Sequence, residues 1–135
     1  MKLRIIQLED SVMKASAISR VIKNVVSCEI DWVTDMLSGI DRIDELLKNG
    51  NPYDLAITDM HYPLSPGLES DWQAGDHFIA EVKSRDIDLP VVICSTRNRK
   101  NPDAYDCVWY NDNYDWERQM SDIVKRVYEE KRKRL

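Results

Sequence analysis

Tyr53-Asp54-Leu55-Ala56-Ile57-Thr58-Asp59-Met60 decides how the rest of the chain is read. Leu55-Ala56-Ile57 is a short apolar run that stops on a carboxylate, and Pro63 follows four residues later. A strand buried on both faces of a parallel sheet has this form: continuous apolar residues bounded by turn signals. Asp59 then falls at the carboxyl edge of the sheet, where open α/β folds place their chemistry. It is the candidate reactive residue.

The remaining composition sets the frame. A chain of 135 residues is the size of one domain with a core of its own. Its 43% hydrophobic and 32% charged residues describe a globular protein, and its formal net charge of -5 disfavours non-specific nucleic-acid binding. No apolar run reaches the length of a membrane helix, and the apolar part of Met1 to Ile6 is too short for a signal peptide. The three cysteines, Cys28, Cys94 and Cys107, lack CxxC spacing. They read as reduced thiols, so a cytoplasmic protein is expected.

Outward from Asp59, strands and helices alternate. Leu3 to Leu8 reads as a first strand, and Ser11 caps a helix with apolar residues at Ala15, Ile18, Val21, Ile22, Val25 and Val26. Cys28 to Val33 alternates like an edge strand, and Met36 to Leu47 is a second amphipathic helix closed by Gly50 and Pro52. After Asp59, residues 61–74 are polar, broken by Pro63, Pro66 and Gly67, and read as a long loop. Gly75 to Arg85 is a third helix, and Leu89 to Cys94 is a β-branched apolar strand ending on Ser95-Thr96. Any helix between that strand and the next, Tyr105 to Tyr110, must be short or distorted. A last helix carries Trp116, Met120, Ile123, Val124, Val127 and Tyr128, capped near Asp115. This alternation predicts right-handed βαβ crossovers and a parallel sheet covered on both faces, in one domain over residues 1–135.

Two strands now end in acid, Glu9-Asp10 after the first and Asp59 after the third. If those strands are neighbours, three carboxylates meet in one crevice and require protons or a hard cation. Oxygen-only ligands at a wet site suit Mg²⁺. Such an ion would let Asp59 attack a phosphoryl donor and become an aspartyl phosphate. Ser95 could donate its hydroxyl to a phosphoryl oxygen, and backbone N–H groups at Met60 and Thr96 could hold the others. Each residue alone is an ordinary strand-end or turn residue; their joint placement carries the argument.

These motifs resemble the receiver domain of bacterial two-component response regulators. The matching residues are Leu8-Glu9-Asp10, Tyr53 to Met60 with Pro63, Gly75, and Leu89 to Ser95, in order and over nearly the whole chain. The resemblance implies a flavodoxin-like, doubly wound five-stranded parallel sheet of order 2-1-3-4-5. It implies that Asp59 is the phosphoacceptor for a sensor histidine kinase or phosphotransfer protein. Glu9, Asp10, Asp59 and the backbone carbonyl of His61 would hold Mg²⁺. Ser95 would be the switch hydroxyl, acting on a face formed by helix four, strand five and helix five that meets a downstream protein or a second copy. With no output domain, the chain would act by protein–protein contact, without small-molecule turnover, membrane attachment or nucleic-acid binding.

Four departures stand beside the resemblance. Receivers carry a lysine at the end of strand five; here Trp109 aligns there, and no lysine occurs from Asn101 to Ser121. Arg97, Arg99 or Lys100 are the candidate substitutes. The partner of the switch hydroxyl falls between Tyr105 and Asp106, and Thr96 replaces a smaller residue. The loop from Pro63 to Gly75 is about eight residues longer than usual and contains Trp72. The missing lysine motivates a second reading, a degenerate receiver that binds partners independently of phosphate. A third, a hydrolase with an aspartyl intermediate, would need an acid where His61 stands.

Overall fold

In the computed structural model, which describes residues 1–135, five parallel strands form the central sheet. Its elements are β1 (Leu3–Leu8), α1 (Val12–Lys23), β2 (Cys28–Val33), α2 (Met36–Lys48), β3 (Leu55–Thr58), β4 (Tyr62–Pro63), β5 (Ser70–Asp71), α3 (Ala74–Ser84), β6 (Val91–Ser95), β7 (Asp106–Trp109) and α4 (Trp116–Arg132). The sheet order is β2-β1-β3-β6-β7, which is the expected 2-1-3-4-5 once the small β4-β5 hairpin is set aside. β3 and β6 are buried at every position, as their unbroken apolar runs require.

Alternation along each strand divides the core. Leu3 and Ile5 of β1, with Leu55 and Ile57 of β3, meet Ile18 and Ile22 of α1 and Trp116, Met120, Ile123, Val124 and Val127 of α4. Ile6, Leu8, Ala56 and Ile93 point to the opposite face and meet Ile40, Ile43 and Leu46 of α2 and Phe78, Ile79 and Val82 of α3. Each large side chain removed from water contributes about 1.5–3 kcal/mol. The helices start where the sequence says they should. Ser11 Oγ accepts from Lys14 N at 3.3 Å, and the side chains of Asp35 and Asp115 cap α2 and α4. Gly50, with φ of +74°, turns the chain out of α2 in a conformation only glycine adopts freely.

Two expectations need correction. Residues 61–74, expected as a loop, contain an antiparallel hairpin in which Tyr62 pairs with Asp71 and Pro63 with Ser70. It is anchored rather than free: Tyr62 is buried, Leu64 packs on the α2–α3 core, and Leu64 O accepts from Leu37 N at 2.9 Å. The second correction concerns the output face. The chain forms no helix between β6 and β7, so the expected face of helix four, strand five and helix five lacks its first member. Instead the connection is pinned to α3, where Asp76 receives Asn101 Nδ2 at 2.8 Å and Arg99 at 3.3 Å. No helix is long and apolar enough to cross a membrane.

Candidate functional site

Parallel pairing of β1 with β3 sets Leu8 opposite Thr58, so the residues just past both strand ends meet. Asp59 N donates to Leu8 O at 3.0 Å and Glu9 N to Val33 O at 3.1 Å, which fixes both turns. Carboxylate oxygens of Glu9, Asp10 and Asp59 consequently lie within 4.8 Å of one another. They open into a cavity of about 470 Å³ that Met60, His61, Trp72, Ser95, Thr96 and Arg97 also line. The sequence-predicted site residues are thus brought together.

The turn that carries Asp59 is braced from three sides. Thr58 Oγ1 donates to Asp59 O at 2.7 Å and accepts from Tyr62 Oη at 2.7 Å, which ties the turn to the hairpin. Gly75 N donates to Met60 O at 3.2 Å. A Cβ at Gly75 would stand 2.5 Å from Asp59 O and 2.6 Å from Met60 Sδ, so α3 can approach the turn only through glycine. Around the rim, His61 stacks on Trp72 with centroids 4.1 Å apart, and the Arg97 guanidinium lies 4.2 Å from the Trp72 ring centroid.

Ser95 is buried, with its Oγ accepting from Arg97 N at 3.2 Å. The amides of Met60 and Thr96 donate to no acceptor in the chain, as an oxyanion cradle requires. Trp109, at the position aligned with the family's lysine, spends its indole N–H on Thr96 O at 2.9 Å and packs on Tyr114. Arg97 and Arg99 line the cavity, yet neither is paired with Glu9, Asp10 or Asp59. Arg99 is engaged by Asp76 and Arg97 lies over Trp72, so neither neutralises the acids as anticipated.

Lys14 neutralises them instead. Its Nζ reaches from the first turn of α1 to Asp59 Oδ1 at 3.1 Å, Glu9 Oε1 at 2.8 Å and Cys94 O at 2.7 Å. It is 6% exposed, and Tyr110 covers it with a ring centroid 5.5 Å away. Sequence reasoning missed this residue, although its signal was present. Lys14 stands one helical turn before Ile18, which places a charge on the buried stripe of α1.

One ammonium shared by two acids leaves the deeper acid under strain. Burial pushes the Glu9 carboxyl up to about 7; Lys14 pulls it down, and Asp59 pushes it up again. Burial is also the largest influence on Lys14 and favours its neutral form, but Asp59 and Glu9 outweigh it and hold the ammonium above its ordinary range. Glu9 Oε2 accepts from Ser11 N at 3.2 Å, while buried Oε1 has no aligned hydrogen bond. Glu9, Asp10 and Asp59 form an all-oxygen donor set that carries more negative charge than the one Lys14 ammonium balances, which fits a hard divalent cation.

No family model matches the chain, and no curated protein matches it in sequence. Solved structures do. The signal receiver domain of an HD domain-containing protein from Pseudomonas fluorescens Pf-5 superposes with a TM-score of 0.71 at 10% identity, over 98% of this chain and 99% of that one. The phosphorylated cyanobacterial phytochrome response regulator RcpA gives 0.65 at 23% identity, over 96% of this chain and 93% of that one. The Mn²⁺-bound form of response regulator Rcp1 gives 0.66 at 20% identity, over 90% and 91%. The fold is that of signal receiver domains.

Proposed function

We propose that the chain is a response regulator receiver in which Asp59 accepts a phosphoryl group from a histidine kinase or phosphotransfer protein. The observation that carries this reading is the convergence of Glu9, Asp10 and Asp59 at the carboxyl ends of adjacent strands, on the receiver fold. An Asp59 carboxylate oxygen attacks phosphorus, the bond from phosphorus to the donor's leaving atom breaks, and the leaving group departs with that electron pair. Ser95, Met60 and Thr96 line the cavity where the transferred oxygens would lie, and the amides of Met60 and Thr96 have no acceptor in the chain, which supports their role as donors. Mg²⁺ would be held by Asp10 and Asp59, with Glu9 and the His61 carbonyl beside them, and would supply neutralisation of the phosphoryl charge.

The output is protein–protein contact in the cytoplasm, with no turnover of small phosphate esters. Since no helix covers β7 beside the 96–105 connection, the partner surface differs from the helix-strand-helix face expected at first. Incubation with Mg²⁺ and acetyl phosphate, followed by intact mass measurement, tests the reading. A gain of one phosphoryl group that disappears in Asp59→Asn is expected; a gain that survives this substitution, or none in the wild type, refutes it.

The rival reading, a receiver that binds partners without phosphate, draws on the ion pair that already occupies Asp59 Oδ1. It predicts a partner affinity that Asp59→Asn leaves unchanged.

A further inference from the structure

We infer that Lys14 is the catalytic cation of this site, contacting the phosphoryl group on Asp59 from helix α1 in place of a lysine on β7. The inference rests on the phosphoacceptor reading and adds a residue outside the motifs that carry it.

Three observations support it. First, position: Nζ is 3.1 Å from Asp59 Oδ1, so any group bonded to that carboxylate is formed within reach of the ammonium. Second, commitment: a lysine 6% exposed, ringed by Glu9, Asp59 and the Cys94 carbonyl, is held rather than solvated. Third, pairing: Trp109 stands on the β7 route, and although Arg97 and Arg99 line the cavity they lie on Trp72 and Asp76, so Lys14 is the cation paired with Asp59.

Bond formation turns the Asp59 carboxylate into an uncharged acyl oxygen and places a phosphoryl group of about −2 charge just beyond it. The ammonium loses one anionic partner and gains a more highly charged one a bond length further out. A lysine side chain, with its flexible stem and rotatable donors, can follow that displacement while Glu9 keeps its base in place. The Asp59 oxygen not engaged by Lys14 has no partner in the chain and is left for a divalent ion with Asp10. Lysine and metal would therefore occupy opposite sides of the acceptor.

Lys14→Met separates this role from a structural one, because its two effects have opposite signs. Removing the ammonium should slow phosphorylation by acetyl phosphate roughly ten- to a hundredfold, the range for one charge-assisted hydrogen bond. It should tighten Mg²⁺ binding, followed by tryptophan fluorescence, about three- to tenfold, since a like charge next to the ion is gone. Lys14→Gln can still hydrogen-bond the Cys94 carbonyl and carries the same expectation if the methionine variant folds poorly. A folded variant phosphorylated at the wild-type rate overturns the inference and leaves the phosphoacceptor reading intact. Loss of Mg²⁺ binding together with phosphorylation also overturns it, by showing a collapsed site. A wild type that takes no phosphoryl group overturns both.

Discussion

Glu9→Gln isolates the electrostatic strain at the centre of the site. In the folded chain the Glu9 carboxyl is pushed from 4.5 up to about 7, chiefly by burial. Between these values the folded state holds a proton that the unfolded state has released. More protons on the folded state means that stability falls as pH rises. The contribution is fully favourable below pH 4.5, declines across the window and levels off above about 7. At 1.36 kcal/mol per pH unit, the loss amounts to about 3 kcal/mol. Glutamine reproduces the shape of the protonated acid and has no such dependence. Lys14, raised from 10.5, contributes below that value and loses its contribution only at higher pH, outside the window. Urea unfolding of both proteins, with chelator present and tryptophan fluorescence as the probe, gives stability at each pH. The wild-type value minus the variant value should fall by about 3 kcal/mol between pH 4.5 and 7.5. Subtraction removes groups that titrate alike in both. A flat difference curve, or one that rises with pH, would refute the claim that one lysine cannot satisfy both Glu9 and Asp59.

Three further substitutions probe the supports of the site. Gly75→Ala should destabilise by about 1–3 kcal/mol despite alanine's better helix propensity, because its Cβ meets Asp59 O and Met60 Sδ; denaturant midpoints check this, and unchanged stability would deny the tight approach of α3. Asp10→Asn should weaken Mg²⁺ binding at least about tenfold by removing a charged ligand, while thermal stability holds or rises because Asp10 is exposed beside two other acids. Calorimetric titration and a melting curve decide it together. Phe78→Ala should cost about 3–5 kcal/mol, since its fully buried ring sits in the α2–α3 core, and a cost below 1 kcal/mol would contradict that packing.

Most of the architecture could be read from the chain because buried parallel strands announce themselves. Leu55 to Thr58 and Val91 to Ser95 are uninterrupted, and Ser11 and Asp115 stand where helix starts need acceptors. The β4-β5 hairpin escaped because two-residue strands have no periodicity, and the contacts that hold it, through Tyr62 and Leu64, are tertiary. The missing helix was half legible: too few residues join β6 to β7, but their pinning to Asp76 cannot be seen in sequence. Glu9, Asp10, Asp59 and Ser95 were found because each ends a recognisable strand. Lys14 is hidden from apolar periodicity, which does not register a charged residue on the buried stripe of α1. Arg97, Arg99 and Lys100 are near the Trp109 strand along the chain, whereas Lys14 reaches the acids across space.

The placement of Lys14 also bears on the order in which the site is assembled. Glu9 and Lys14 are five positions apart, so the turn from β1 into α1 alone brings them together, with almost no loop to close. Asp59 arrives when β3 docks on β1, and the ammonium is already there to receive it. A lysine at the end of β7 would have been delivered by the last strand, after the carboxylates had met unshielded. Here the acids need never face one another without a counter-charge, and a repulsive step is removed from the pairing of the two central strands.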